Sequence, residues 1–322
     1  MKAVYAQSIN PDEPLAGLVI GDRPDPEPAE GWTRVAVKVA SLNHHDLWTL
    51  KGVGIRAEQL PMIRGCDSAG IDEATGAEVV VHSVINTPGW EGDDTLDPGR
   101  SLLSEKHQGS LAEYVVVPKR NVVPKPAELS WSEAAALSTA WLTAYRMLFT
   151  QARLQPGQTV LVQGASGGVA SAAISMARAA GLRVYATART EAKQAVALEL
   201  GAHESFASGA RMPERVDAVI ETVGEATWSH SLKSLKPGGA LVISGATSGP
   251  NPPADLNRIF FLQLRVLGST MGTRTELQNL IAFLRATGLR PRIDRTIPLD
   301  DAAQGIQAIA DGDLVGKIVL EV

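Results

Sequence analysis

TVLVQGASGGVASAAISMARAAG (159–181) is the stretch that decides the fold. Its first residues form an apolar run that predicts a buried strand, and the alanine-rich part up to Gly181 predicts a helix with a glycine stop. A glycine turn between a strand and a helix lets a pyrophosphate approach the free N–H groups of the helix start. The stretch therefore predicts a dinucleotide site formed by Gly164, Ser166, Gly167, Gly168 and Val169, with a purely structural turn as the alternative.

The same alternation continues downstream. Residues 183–188 predict a strand, 191–201 a helix, 216–224 a strand and loop, 231–245 a helix end, turn and strand, and 265–270 another strand. Strands that alternate with helices of about ten residues favour a parallel, doubly wound sheet. The fold class is therefore predicted to be α/β.

The first third of the chain has a different pattern. Stretches 33–41, 77–84 and 112–118 alternate valine with polar or small residues, which predicts half-buried strands. SWSEAAALSTAWLTAYRMLF (130–149) starts like a helix with a capping box, Ser130 followed by Glu133. The last strand, 316–322, is expected to return to the first domain.

Two domains are predicted from these patterns and from the chain length. A β-rich domain takes residues 1–125 and 271–322, and the parallel-sheet domain takes 126–270. Stretch 86–110 is predicted to be a loop whose acids are solvated.

Composition excludes several classes of protein. The 322 residues carry a net charge of −5, so there is no basic footprint for nucleic acid. One cysteine, Cys66, allows neither an internal disulfide nor a four-cysteine zinc site. The first residues have no apolar run typical of a signal peptide, and no run elsewhere has the length of a membrane span. We expect a cytoplasmic protein that binds neither nucleic acid nor membrane.

The second strand of the parallel sheet indicates the cofactor. NAD enzymes place an acid about 20 residues after the glycines to bind the ribose 2′-OH. Here the strand ends in Thr187, Ala188 and Arg189, and the first acid is Glu191. Thr187 is a candidate cofactor contact at this strand end. Arg189 and Lys193 can bind a 2′-phosphate, whereas cations at a helix start are otherwise unfavourable. We therefore predict that the cofactor is NADP(H). The alternative is that Arg189 and Lys193 are ordinary surface cations.

Several motifs together resemble a known family. They are SLNHHDLW (41–48), IRGCDSAG (63–70), GSLAEYVVVP (109–118), GASGGVAS (164–171), ETVG (221–224), LGSTMG (267–272) and GKIVL (316–320). The chain resembles the medium-chain dehydrogenase/reductase superfamily, and within it the zinc-independent, zeta-crystallin-like quinone oxidoreductases. The resemblance implies a GroES-like catalytic domain, a Rossmann domain, an active site in the cleft between them, and a homodimer.

Comparison with the zinc alcohol dehydrogenases of that superfamily implies that no metal is bound. Their catalytic ligands fall at Asn43 and Cys66 and a neighbouring acid at Asp67, while loop 86–110 lacks the cysteines of their structural zinc site. Because His44, His45, Cys66 and Asp67 can all ligate metals, a residual metal site remains an alternative. Cys66 is otherwise expected to be a small buried residue.

The resemblance places the chemistry on the segment that begins at Asn43. His45 is the candidate proton donor or substrate-orienting group, with a packed, non-catalytic histidine as the alternative. Asn43 and His44 are candidate cofactor contacts, and Asp46 is expected to fix the loop. Candidate substrate-pocket residues, for which core packing is an equal alternative, are Trp48, Leu50 and Ile55.

Further cofactor contacts are implied by position in the family. They follow strand ends, where the carboxyl edge of a parallel sheet binds such ligands. These residues are Thr222, Val223, Gly245, Ala246, Thr247, Thr270, Met271 and Gly272, with Lys317 as a basic residue near the pyrophosphate.

Three functions remain open from the sequence. The first is an NADPH-dependent reductase that transfers a hydride to a quinone or an α,β-unsaturated carbonyl. The second is a zinc-free carbonyl reductase or alcohol dehydrogenase of the same superfamily. The third is a low-turnover NADPH-binding protein that acts as a sensor or structural component.

Overall fold

A computed structural model describes residues 1–322. The chain forms two compact units. The β-rich unit contains residues 1–142, 271–286 and 290–322, and the parallel-sheet unit contains 143–270 and 287–289. Residues 126–142, predicted for the second domain, thus lie in the first, because the helix at Trp131–Ala135 packs on strands of the β-rich unit.

The strands are numbered in chain order. They are β1 Lys2–Ala6, β2 Leu18–Asp22, β3 Trp32–Ser41, β4 Met62–Ile63, β5 Asp67–Asp72, β6 Glu78–Val81, β7 Val84–Ile85, β8 Ser101–Leu102, β9 Tyr114–Pro118, β10 Val122–Pro124, β11 Thr159–Gln163, β12 Arg183–Ala188, β13 Glu204–Ala207, β14 Val216–Glu221, β15 Leu235–Ile243, β16 Arg265–Gly268, β17 Ile293–Pro298 and β18 Lys317–Glu321.

The α-helices are numbered in the same way. They are α1 His44–Leu50, α2 Trp131–Ala135, α3 Leu142–Tyr145, α4 Gly168–Ala179, α5 Glu191–Glu199, α6 Glu225–Ser234, α7 Leu256–Phe261, α8 Arg274–Thr287 and α9 Ala302–Asp311. Wider π-helical turns, Leu137–Trp141 and Arg146–Gln151, flank α3. The capping box predicted at Ser130 is present, since its side chain accepts from the Glu133 amide. No helix has the length and apolar character needed to cross a bilayer.

The main sheet of the β-rich unit has the order β10-β6-β5-β3-β18-β17, with β9 also paired to β3. The alternation predicted for 33–41 is present in β3, where Val35, Val37 and Val39 are buried. The final strand, β18, pairs with β3, which confirms that the chain end returns to the first unit. Ser41 therefore pairs with Asp67 of β5 on one side and with Val319 of β18 on the other.

The second unit contains a six-stranded parallel sheet in the order β13-β12-β11-β14-β15-β16. This is the Rossmann order. From β11 the sheet is extended first to one side, by β12 and β13, and then to the other, by β14, β15 and β16, so the order of the strands reverses between β11 and β14. Helices α4, α5 and α6 connect and pack on these strands. The predicted α/β class, a GroES-like β-rich unit with a doubly wound parallel sheet, is confirmed.

The prediction of a solvated acidic loop at 86–110 is wrong for two of its acids. Asp97 is buried and accepts hydrogen bonds from the amides of Thr87 and Gly99. Asp94 is buried too, and it accepts from Arg120 and from the backbone of Arg274. These acids cap local turns and join segments, so they are not a solvated cluster.

Candidate active site

The glycine turn after β11 has the geometry expected of a pyrophosphate cradle. Gly164 adopts a left-handed φ of 84°, which disfavours any side chain there. Gly167 is the N-cap of α4 and has no side chain that could cap the helix. The first backbone N–H groups of α4 therefore have no acceptor within the helix. A Cβ added at Gly164 or Gly167 would meet no atom within 4 Å. Open space above a bare helix start fits a dinucleotide phosphate.

Four more segments of the parallel-sheet unit share the edge on which this turn lies. Strands β12, β11, β14, β15 and β16 are neighbours and run parallel, so the residues that follow them gather at one edge. The Thr247 amide donates to Thr222 O and the Ser248 amide to Val223 O, which joins the loops after β14 and β15. The predicted cofactor contacts of this unit that lie here, together with Gly164, are Arg189, Thr222, Val223, Gly245, Ala246, Thr247 and Thr270.

Glu221, the last residue of β14, fixes the loop that follows this strand. It is buried, and one carboxylate oxygen accepts from the amides of Val223 and Gly224 while the other accepts from the hydroxyls of Thr227 and Ser231. All its contacts are internal, so Glu221 fixes the loop and is not available to a ligand. This agrees with the structural role expected for it.

The end of β12 has an exposed cation. Arg189 is exposed and immediately precedes Thr190, the N-cap of α5, whose side chain accepts from the Lys193 amide. Thr187, two residues earlier, is buried. Its hydroxyl donates to Gln163 Oε1 and accepts from the Gly164 amide. Thr187 therefore supports the glycine turn, whereas Arg189 is the side chain presented to solvent at this strand end.

In the β-rich unit, α1 begins at the segment that the resemblance identified. Asn43 is the N-cap, and its amide donates to Asp46 Oδ2 at 2.8 Å. Asp46 Oδ1 accepts from the Gly65 amide at 2.9 Å. Asp46 thus joins the start of α1 to the segment before β5, a structural role as expected, and the neighbouring His44 is exposed.

Lys317 lies in a buried network beside this helix start. Its Nζ donates to Leu42 O and Asn43 Oδ1, each at 2.6 Å, and lies 3.3 Å from Asp67 Oδ2. The same Asp67 oxygen accepts from Asn43 Nδ2 at 2.9 Å, and the other accepts from Thr139 at 2.6 Å. The Lys317 ammonium, predicted near a pyrophosphate, therefore has acceptors for its protons within the β-rich unit.

These contacts do not fit a zinc ion at Asn43, Cys66 and Asp67. Zinc needs ligand lone pairs that converge on one point. The oxygens of Asn43 and Asp67 instead converge on Lys317, a fixed cation that an added ion would have to displace. No group of three or more His, Cys, Asp or Glu side chains is arranged to hold a metal.

His45 has a partner on each ring nitrogen. Nε2 lies 3.1 Å from Glu105 Oε1, and Nδ1 lies 3.3 Å from Cys66 Sγ. The side chain is 19% exposed. A proton could leave this imidazole for a substrate only if the acceptor replaced Glu105 or Cys66 at one nitrogen.

The remaining candidates of the β-rich unit differ in burial. Trp48 is half-buried with the Lys51 ammonium over its ring, whereas Leu50 belongs to the hydrophobic core and Ile55 is buried. For Leu50, the structure thus shows the core-packing alternative. Met271 and Gly272 are buried as well: a Cβ at Gly272 would collide with Leu142, and its carbonyl contacts His82 Nε2 at 2.9 Å.

Sequence reasoning missed Glu105 and misjudged the surroundings of Cys66. Cys66 is buried, as predicted, but its sulfur contacts His45 as well as Leu103 O. Glu105 lies in the stretch predicted to be a solvated loop. Nothing in the local sequence marks either contact, because the partners are 60 and 21 residues away from His45.

Comparison with known proteins identifies both units. Residues 29–127 match the family model described as the alcohol dehydrogenase GroES-like domain, and residues 168–286 match the one described as zinc-binding dehydrogenase. The quinone oxidoreductase of Lama guanicoe is 31% identical over 92% of this chain and 90% of its own length. A zinc-type alcohol dehydrogenase-like protein of Schizosaccharomyces pombe is also 31% identical, over 91% of each chain.

A solved structure shows the same architecture. The crystal structure of an NAD-dependent alcohol dehydrogenase superposes with a TM-score of 0.92, at 34% identity and with full coverage of both chains. The likeness extends through both units, and further relatives include the quinone oxidoreductases of Pongo abelii and Homo sapiens, each 30% identical over 92% of this chain and 90% of its own length. The chain belongs to the medium-chain dehydrogenase/reductase superfamily, in its quinone oxidoreductase branch, and is an oxidoreductase of that type.

Proposed function

We propose that this protein is an NADPH-dependent, zinc-independent oxidoreductase that transfers a hydride to a quinone or an α,β-unsaturated carbonyl. The observation that carries the proposal is the end of β12, where Arg189 is exposed and no acid lies between Thr187 and Glu191. The quinone oxidoreductases among the relatives support the acceptor class.

The residues of the parallel-sheet unit would hold the cofactor. The amides at the start of α4 would bind the pyrophosphate, and Arg189, with Lys193 four residues on, would bind the 2′-phosphate. NADP(H), when bound, supplies the hydride. Loops 222–224 and 245–247 would orient the ribose and nicotinamide, so the chain's main contribution is to position the acceptor over the ring.

His45 remains the candidate proton donor for the enolate or quinol oxyanion. Although burial lowers the pKa of His45, the charge of Cys66 and hydrogen bonds with Cys66 and Glu105 raise it to about 10. The imidazole would therefore carry its second proton at neutral pH. Donation requires the substrate oxygen or carbon to take the place of one ring partner.

The Lys317 network supports catalysis without metal. In zinc enzymes the metal polarises the substrate oxygen. Here the only fixed cation at Asn43 and Asp67 is an ammonium whose protons point at protein acceptors. Polarisation through these residues is thus not available, which favours acceptors that take a hydride without it, such as quinones and enones.

Two other functions have some support. The printed names of the Schizosaccharomyces pombe relative and of the solved NAD-dependent enzyme favour an alcohol dehydrogenase or carbonyl reductase. A low-turnover NADPH-binding protein is the other. Assays with a quinone, an enone and a simple aldehyde, each with NADPH and NADH after dialysis against EDTA, separate them. The proposal requires turnover of the first two acceptors with NADPH; aldehyde turnover alone, or tight binding without oxidation, supports an alternative.

We further propose that the protein is a homodimer in the cytoplasm. Strand β16 is one of the two edge strands of the parallel sheet, and an unpaired edge is a template for pairing. Phe260 and Phe261, in the α7 helix before it, are 65% and 80% exposed, and Leu256 and Val266 are exposed as well. An apolar surface beside an open edge fits a second copy that continues the sheet.

A further inference from the structure

The parallel-sheet unit has a cavity of about 320 Å³ at the edge opposite the glycine turn. The residues that line it lie in the segment before β11, at the start of β14, inside β15 and at the start of β16. These are the amino ends of the strands. Because β11 has five residues, its length separates the cavity from Gly164 by roughly 16 Å. The cavity is therefore distinct from the edge at which we place the cofactor.

An insertion in β15 forms one wall of the cavity. The pairing of β14 with β15 shifts between Val216 and Ala218, where residues 236–239 of β15 stand opposite Asp217 alone. Such a bulge bends the strand and changes the direction of its side chains. The Gly238 amide donates at 2.8 Å to a carbonyl oxygen of the chain before β16. The bulge is thus attached at both sides and gives the cavity a fixed wall.

The cavity is positively charged, although the protein is acidic. Its cations are Arg153, Lys236 and Arg265, and Asp217 is its only acid. Asp217 Oδ2 accepts from Lys236 Nζ at 2.9 Å and from the Thr159 amide at 2.8 Å, so this carboxylate already has partners in the fold. Three cations and one acid leave the cavity with a net charge of +2, whereas the whole chain carries −5.

The walls also supply hydrogen-bond donors. The Arg265 guanidinium donates from Nη2 to Ala152 O at 3.3 Å, and its other N–H groups are available to a ligand. Gln158 Oε1 accepts from the Gln155 amide at 2.8 Å, which leaves the NH₂ group of this side chain as a donor. Arg153 is exposed. Guanidinium groups bind phosphate oxygens through paired N–H donors, so this lining suits a phosphate group.

We infer that the cavity binds a phosphate group, either as inorganic phosphate or as the phosphate of a small ester. A phosphate monoester carries about −1.5 to −2 charges at pH 7 and therefore balances the cavity, whereas a monocarboxylate would leave one positive charge. A volume near the lower limit of small-molecule pockets suits a phosphate with a short organic chain. Since this site and the glycine turn lie at opposite edges of the sheet, the two do not compete for one anion.

Amide chemical shifts locate the bound anion. The intact, isotope-labelled protein is titrated without NADPH at constant ionic strength, with inorganic phosphate in one series and glycerol 3-phosphate in the other. We expect saturable shifts for the amides of residues 152–154 and 236–239. Tighter binding of glycerol 3-phosphate would identify an ester as the ligand, and tighter binding of inorganic phosphate would identify the free anion.

Two results of this titration would overturn the inference. Shifts confined to residues 164–169 would place the anion at the glycine turn. The absence of saturable shifts would mean that the cations only compensate the helix C-termini at this edge, such as the end of α6 before Lys236.

Three variants test the lining. Arg153→Gln should weaken phosphate binding on the order of 10-fold, the effect of one lost charge-assisted contact. Arg215→Gln is the matched control, because it removes an exposed arginine from the same edge that does not line the cavity, and it should leave binding nearly unchanged. Asp217→Asn keeps an oxygen for the Thr159 amide but removes the only negative charge, so it should tighten binding several-fold.

The Asp217 variant separates electrostatic recognition from a structural effect, since damage to the fold would not tighten binding. Equal weakening by Arg153→Gln and Arg215→Gln, or an Asp217→Asn protein that binds no more tightly than the original, would overturn the inference. Because no nicotinamide cofactor is present, these outcomes do not depend on the proposed reductase activity.

Discussion

Lys317 Nζ lies 3.3 Å from Asp67 Oδ2 inside the β-rich unit, with side chains that are 3% and 0% exposed. The pair joins β18, the last strand of the chain, to β5. Strand β3, which lies between them in the sheet, leads into α1. Removal of one partner would leave a buried charge without compensation.

Lys317→Met should therefore destabilise the β-rich unit by about 3–5 kcal/mol, measured as the loss in free energy of unfolding in urea. The double variant Lys317→Met, Asp67→Asn removes both charges and should recover at least half of that loss. A single variant within about 1 kcal/mol of the unmodified protein would show that the network contributes little.

Arg189→Ala should weaken NADPH binding and leave NADH nearly unchanged. A charge-assisted contact with the 2′-phosphate contributes on the order of 1.5–3 kcal/mol, or roughly 10- to 150-fold in affinity. Titration calorimetry measures both cofactors. Arg215→Ala is the matched control. Arg215 is an exposed arginine directly before β14, at the amino ends of the parallel strands, whereas Arg189 follows the carboxyl end of β12. Equal weakening of NADH and NADPH would mean that Arg189 does not recognise the phosphate.

His45→Ala should lower kcat for an enone roughly 10²–10⁴-fold, the usual contribution of a positioned proton donor. Quinone reduction should fall less, because a quinol oxyanion is a weaker base that water can protonate. NADPH affinity should survive, as the glycine turn and Arg189 belong to the parallel-sheet unit. Unchanged kcat on both acceptors would remove His45 from the reaction and leave orientation as the main contribution.

Phe261→Glu should shift the protein from dimer to monomer in sedimentation velocity, since it places a charge beside the open edge of β16. Leu198→Glu, at an exposed apolar position of α5, is the control and should leave the mass unchanged. A monomeric unmodified protein, or a Phe261→Glu dimer as stable as the original, would contradict the proposed interface.

Much of the fold could be predicted because its signals are local. The apolar run before Gly164 and the alternation in 33–41 each determine an element within a few residues, and β11 and β3 formed there. The tertiary contacts could not be predicted in this way. Glu105 reaches His45 only because Ser104 adopts a left-handed conformation that Arg64 stabilises, and no periodicity encodes such a turn.

Isotope transfer shows whether the hydride reaches the β-carbon of an activated alkene. EDTA-dialysed protein is incubated with cyclohexenone and NADPH that carries deuterium at both C4 positions, and the product is analysed by NMR. We predict cyclohexanone with deuterium at the β-carbon. Deuterium at the carbonyl carbon of an allylic alcohol, or no transfer at all, would contradict this account.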